Sequence, residues 1–243
     1  MTDVAAQVSA SLNALTREFD IIAHNLANVS TTGYKRRLHG FSRAMDSQSD
    51  LVDGVSKGGD SSSDGFDFSQ GHLVETGRTL DVALFGKGFF TIETPEGPLY
   101  TRHGVFQTNQ NGQIVDSEGR VVAGANGPLN VPSETNITDI SVNQNGQISI
   151  DGTTIGQFRI VDFPGKEDRL IAVGLGCFQA PKDVEPVAAE QTLVRQGCQE
   201  ASNVQMIEEL VSMIMVTRTY EANVKLVNVT KDTSNSVIGV AMG

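Results

Sequence analysis

The sequence predicts an α+β protein with N- and C-terminal α-helices forming a coiled-coil-like layer and a central, mainly antiparallel β domain. Three observations carry this. Apolar residues recur at alternating steps of 3 and 4 over residues 12–29 and again over 206–227, the spacing of a helix with a narrow apolar seam. No helical period runs through residues 71–198, where short runs alternate apolar and polar, as half-buried strands do. Gly-containing turn pairs punctuate those runs,.

The first helix carries Leu12, Leu15, Phe19, Ile22, Leu26 and Val29 on its seam, with Val4 and Val8 extending it less strictly. Asn25 and Asn28 are poor helix formers and lie off that seam,. Helix termination explains them in part, since Ser30-Thr31-Thr32-Gly33 follows and Gly suits a cap with positive φ,. A lateral hydrogen bond to a neighbouring helix is the other explanation. Residues 36–70 are rich in Gly, Ser and Asp and read as a connecting arm.

Strands are expected at 80–84, 89–92, 99–102, 105–108, 113–115, 120–123, 140–142, 147–150 and 154–162. Asn111-Gly112 and Asn145-Gly146 read as type I′ hairpin turns,. Glu118-Gly119 and Asp151-Gly152 read as turns as well,. The expected organisation is therefore a helical assembly domain of 1–35 and 200–243, an arm of 36–70 and a β domain of 71–199.

The closing helix carries Met206, Leu210, Met213, Thr217, Tyr220, Val224 and Val227. Thr217 is the weak point of that seam, and Ile207, Val211 and Ile214 widen it in the first half. Ser202 or Asn203 is the expected N-cap,. Arg218 and Glu221 have the spacing of an ordinary helical ion pair,.

The formal charge of the 243 residues is −11, and about three-quarters of it belongs to the middle of the chain. That balance argues against nucleic acid or anionic lipid as a partner. With no Trp and only 6% aromatic residues, a base-stacking surface is not expected either. The N-terminus has neither a basic nor an apolar region of a secretory signal,. No apolar run reaches membrane-spanning length,. Cys177 and Cys198 lack metal-site spacing and read as two free thiols, although the sequence leaves a disulfide open,. His24, His39, His72 and His103 are scattered, and no nucleophile elbow, phosphate loop or dinucleotide fingerprint is present,. No catalytic, cofactor-binding or metal site and no small-molecule substrate is therefore expected.

Three segments carry a resemblance. Ala23-His24-Asn25-Leu26-Ala27-Asn28-Val29-Ser30-Thr31-Thr32-Gly33-Tyr34-Lys35 resembles the N-terminal signature of bacterial flagellar rod and hook proteins, with His24 where that signature has Asn. Ser69-Gln70-Gly71, Thr76-Gly77-Arg78-Thr79-Leu80-Asp81, Gly86-Lys87-Gly88-Phe89-Phe90 and Tyr100-Thr101-Arg102-His103-Gly104-Val105-Phe106 resemble the same family's middle. Gln196-Gly197, Glu200-Ala201-Ser202-Asn203-Val204 and Arg218-Thr219-Tyr220-Glu221-Ala222-Asn223 resemble its end, with Cys198 and Thr217 departing from the pattern.

The resemblance implies a non-catalytic axial subunit of the flagellar basal-body rod, most like the proximal rod members. It implies terminal helices that form the inner layer of a tube with other copies and with neighbouring rod proteins. It also implies delivery by the flagellar type III export apparatus without a cleaved signal, to the periplasm-spanning rod. The subunit-interface residues it points to are Leu12, Leu15, Phe19, Ile22, Asn25, Leu26, Asn28, Val29, Met206, Leu210, Met213, Arg218, Tyr220, Glu221, Asn223, Val224 and Val227. The alternatives are a distal rod or other hook-basal-body subunit, and a secreted β-rich binding or adhesive module whose helices brace the β domain.

Overall fold

The computed structural model describes residues 2–38, 65–132 and 136–241; most of the arm expected over 36–70 lies outside them. The chain divides into two compact units. One takes in the described residues of Met1–Ala27, Arg37–Gly65 and Val204–Gly243, the other those of Asn28–Arg36 and Phe66–Asn203.

The first unit is built on helices α1, Thr2–Ala27, and α2, Met206–Ala241. They pack on one another as an antiparallel pair. Asn223 Nδ2 donates to Ser11 Oγ at 3.2 Å, while Leu15 and Phe19 share a groove with Val216 and Tyr220. Helix α1 stops two residues short of Val29. The chain then turns, with Thr31 N–H bonded to the Asn28 carbonyl at 3.0 Å and Gly33 at φ 67°.

Helix α2 starts at Met206, and Glu209 N–H bonds the Gln205 carbonyl. Asn203 is not its cap. Asn203 Oδ1 accepts from Arg36 N–H at 2.7 Å and its Nδ2 donates to the Asp67 carbonyl at 2.8 Å. The expected capping side chain therefore serves the β unit.

The second unit is β-rich. Among the described residues its largest sheet has ten strands, with a main path from Ile171–Gly174 through Cys177–Gln179, Leu99–Thr101, Phe89–Glu93, Val121–Gly124 and Ile114–Val115 to Gln107–Thr108. Adjacent strands on that path are antiparallel. Ile140–Val142, Gln147–Ile150 and Thr153–Gln157 form a separate three-stranded sheet. The single strand expected over 154–162 is two. After Gln157 the chain leaves the three-stranded sheet, and Ile160–Asp162 joins Phe89–Glu93 of the large one. Strands beyond residue 162, among them Ile171–Gly174 and Leu193–Gln196, were not expected.

Phe89–Glu93 is buried on both faces, which explains why its sequence does not alternate,. Phe90 and Ile92 enter one core with Phe106, Ile114, Val122 and Phe158, while Phe89 enters another with Tyr100, Phe163 and Phe178. Phe66 and Phe68 close the second core, their ring centres each 5.1 Å from that of Phe178. The last residues of the expected arm are thus packed, because two Phe rings find an aromatic surface there.

The Asn-Gly turns differ in type from the expectation. Gly112 and Gly146 have positive φ, but Asn111 and Asn145 do not. The residue three before the Gly does the work. Asn109 Oδ1 accepts from the N–H groups of Asn111 and Gln113, and Gly112 N–H bonds the Asn109 carbonyl. Asp116 with Gly119 and Asn143 with Gly146 repeat this pattern. Of the four turn pairs expected, Asp151-Gly152, at φ 49° and 79°, is the one with both residues at positive φ.

Candidate assembly interface

The seam of α1 is half used within the helical unit. Ile22 is buried, and so is Ile21, which the spacing did not single out. Leu12, Leu15, Leu26, Val29 and Asn28 are half-buried, while Phe19 is exposed. Asn25 is buried, and its amide clamps Arg37, donating to the carbonyl at 3.0 Å and accepting from the N–H at 2.8 Å. These two bonds of Asn25 are made inside the chain, to backbone twelve residues on.

On α2 the buried positions among the described residues, Glu209 and Val216, are shifted by one residue from the expected seam, while Met213 and Val224 of that seam are half-buried, as is Asn223. Thr217 is exposed and its hydroxyl donates back to the Met213 carbonyl at 2.8 Å, so the apparent gap in the seam is filled by Val216. Met206, Leu210, Arg218, Tyr220, Glu221 and Val227 are exposed. The structure brings Leu15, Thr16, Phe19, Val216, Thr217 and Tyr220 around a groove of about 290 Å³.

Helix α2 also has an uncovered apolar side. Ile207 is 78% exposed, and Val211 and Ile214 are exposed as well. At 100° per residue these three lie within about 40° of the direction opposite the buried Val216. A helix that is apolar on opposite sides belongs between two layers of protein.

The β unit holds a feature the spacing did not reveal. Lys35, Arg102 and Glu200 meet in its interior, all three buried. Lys35 Nζ donates to Glu200 Oε1 at 2.7 Å and to the Ser69 carbonyl at 2.6 Å. Arg102 Nη1 donates to Glu200 Oε2 at 3.2 Å and Nη2 to the Gly86 carbonyl at 2.8 Å. Gly71 N–H adds a bond to Glu200 Oε1 at 3.0 Å. The Arg102 guanidinium stands over the Phe89 ring, 5.4 Å from its centre.

One carboxylate thus faces two cations out of water. Desolvation pushes the Lys35 ammonium below its ordinary pKa, with Glu200 opposing and Arg102 reinforcing the shift. Burial likewise pushes Arg102 down against the pull of Glu200. The signal was present in the sequence: each of the three falls inside a different one of the three resembling segments.

The same segments are tied by side-chain amides. Gln196 Nε2 donates to the Thr79 and Ile140 carbonyls, and Gln196 Oε1 accepts from Val142 N–H. Gln199 Nε2 donates to the buried Asp81 at 2.6 Å, and Thr76 Oγ1 donates to the same carboxylate oxygen at 2.7 Å. Cys177 and Cys198 are buried free thiols. Burial pushes Cys177 up in pKa, against the neighbouring Arg120. Among the described residues no cluster of three metal-ligating side chains occurs, and no helix is long and apolar enough to cross a membrane.

His103 gives this unit a pH dependence. Desolvation holds its imidazole below the ordinary 6.5, with Asp116 and Asp81 opposing. The unfolded chain then binds more protons than the folded unit, so stability is full above 6.5 and is lost as pH falls through the depressed folded value,. His103→Gln is expected to flatten the urea midpoint between about pH 7 and about pH 5. An unchanged slope in the variant would assign the dependence to other groups.

Three family descriptions match the chain. Residues 6–35 match "Flagella basal body rod protein", residues 83–150 match "Flagellar hook protein FlgE/F/G D1 domain", and residues 195–240 match "Flagellar basal body rod FlgEFG protein C-terminal". Flagellar basal-body rod protein FlgG of Agrobacterium fabrum is 31% identical over 96% of this chain and 97% of its own. FlgG of Buchnera aphidicola subsp. Schizaphis graminum is 34% identical over 89% of this chain and 91% of its own. FlgF of Mesorhizobium japonicum is 32% identical over 93% and 92%. With identities above 30% along nearly the full length of both partners, the chain belongs to the flagellar basal-body rod protein family.

Proposed function

We propose that this chain is a non-catalytic axial subunit of the basal-body rod, at its proximal position, polymerising through α1 and α2. The assembly region is the helical part of the expected 1–35 and 200–243, namely α1 and α2, forming a coiled-coil-like inner layer that the β domain decorates, while residues 28–35 and 200–203 pack with the β unit. Its partners are other copies, neighbouring rod proteins and the flagellar type III export apparatus, which delivers it to the periplasm without a cleaved signal. Relatives carrying two rod-protein names, FlgG and FlgF, keep the distal position as the second reading.

The observation that carries the proposal is the bare apolar side of α2, with Ile207, Val211 and Ile214 exposed opposite the buried Val216. Three large aliphatic side chains in water favour burial by about 1.5–3 kcal/mol each. Neighbouring helices supply that burial only when subunits associate. The groove between Leu15, Phe19, Val216 and Tyr220 offers a second place for an incoming side chain.

Replacing Ile207 and Ile214 together by Asp tests this. The expected result is loss of sedimentable polymer with no change in far-ultraviolet circular dichroism of the monomer. A variant that still polymerises at wild-type concentration would overturn the role given to this face. A monomer that unfolds globally would show instead that the face serves the chain's own fold.

A further inference from the structure

Among the described residues, the side chains of the two apolar cores of the β unit all lie between Phe66 and Val194. Two short segments outside that range complete the unit, 28–36 before it and 198–203 after it. Tyr34 and Cys198 in these segments are buried, yet neither belongs to a core. The segments are bonded to each other. Gly33 N–H donates to the Glu200 carbonyl at 2.7 Å, and Thr32 Oγ1 to Gln199 Oε1 at 3.2 Å. Lys35 Nζ donates to Glu200 Oε1 at 2.7 Å, and Arg36 N–H to Asn203 Oδ1 at 2.7 Å.

Towards the rest of the unit their bonds are polar as well. Cys198–Glu200 pairs with Leu73–Glu75 in a two-stranded sheet separate from the large one. Ala201 N–H donates to the His72 carbonyl at 2.8 Å, and Glu200 accepts from Arg102 at 3.2 Å. On the first segment Lys35 donates to the Ser69 carbonyl, and the Arg36 carbonyl accepts from Asp67 N–H at 2.8 Å.

Apolar burial makes a body stable by itself. A polar join adds only about 0.5–1.5 kcal/mol net per hydrogen bond, and regions held this way open below the global free energy. Glu200 makes this join cooperative. Its carboxylate serves Lys35 on the other segment and Arg102 on the body, and its carbonyl serves Gly33. When 198–203 lifts off, 32–36 loses these bonds together, and Lys35 loses the carboxylate that offsets its desolvation,.

We propose that residues 32–36 and 198–203 form a latch that opens as one unit while the two apolar cores stay folded, so that releasing either end of the β unit releases the other. The coupling is reciprocal, as any linkage between two binding events is. The latch acts within one chain and does not depend on polymer formation.

The two native thiols separate the two kinds of opening. Cys198 is buried in the latch and Cys177 in a core. The full chain is labelled with an aromatic disulfide reagent under native conditions, each rate being taken relative to the same thiol in urea-unfolded chain. Cys198 is expected to react at least about tenfold faster than Cys177. Lys35→Met, on the segment opposite Cys198, is expected to speed Cys198 labelling about tenfold. Thr32→Val removes one bond between the segments away from the charges, and is expected to speed it about threefold; it carries the test alone if Lys35→Met does not fold. Equal relative rates for the two thiols would mean that the unit opens only as a whole, which overturns the latch. A Cys198 rate that neither variant moves would mean that the two segments open separately, and overturns it too.

Discussion

Glu200→Gln is expected to destabilise the β unit by about 3–5 kcal/mol. The substitution preserves shape and removes only charge. It leaves Lys35 and Arg102, both buried, facing each other without the carboxylate that accepts from each at 2.7 and 3.2 Å. Desolvation disfavours both cations, and Glu200 opposes it more than Asp67 does for Lys35 or Asp162 for Arg102, so its loss exposes most of the penalty. Against a typical total of about 5–15 kcal/mol, that is a large share.

Lys35→Met is expected to cost less, because Glu200 keeps Arg102 and Gly71 N–H. The double variant Lys35→Met/Glu200→Gln should recover part of the loss, since one of the two stranded charges is gone. Urea unfolding followed by amide exchange of the Phe89–Glu93 strand measures all three. A Glu200→Gln midpoint equal to wild type would mean that water reaches the cluster.

Gly104→Ala is expected to cost at least about 3 kcal/mol, for a different reason. A Cβ at Gly104 would lie 1.6 Å from the Val82 carbonyl oxygen. That oxygen is backbone, and its strand is fixed by Val82 N–H bonding the Gly104 carbonyl at 2.8 Å. No side chain can swing aside, so the strand must separate from residue 104 or the unit must unfold. Gly77→Ala is the control: it has open space around its Cβ, and at φ 71° it should cost only the strain of an Ala at positive φ. Equal midpoints for the two variants would contradict the close approach.

The helices were legible because a seam repeated at steps of 3 and 4 has few other meanings. Which face is buried was less so. On α2, Val216 and Thr217 are neighbours in sequence, and the choice between them depends on how α1 lies against the helix, which periodicity does not encode. The turns were placed correctly but typed by the wrong residue. The Asn beside each Gly drew attention, while the Asn or Asp three before it makes the bonds. Asn25 was recognised as out of place on a helix. Its partner, the backbone of Arg37, lies twelve residues on, beyond what helical spacing can indicate.

The Lys35–Glu200–Arg102 cluster was invisible to pattern reading. Its members are separated by 67 to 165 positions, and charged residues are assigned to the surface by default. Only their joint occurrence in the three family-like segments marked them, and that became meaningful once Lys35 Nζ and both oxygens of Glu200 were seen within 3.2 Å of partners.

The most direct test of the assembly role is the position of this chain in isolated basal bodies by electron cryomicroscopy. The expected result places α1 and α2 in the inner layer of the rod, with Ile207, Val211 and Ile214 covered by neighbouring helices and the β unit outside. A rod in which these residues face solvent, or which lacks the subunit, would contradict it.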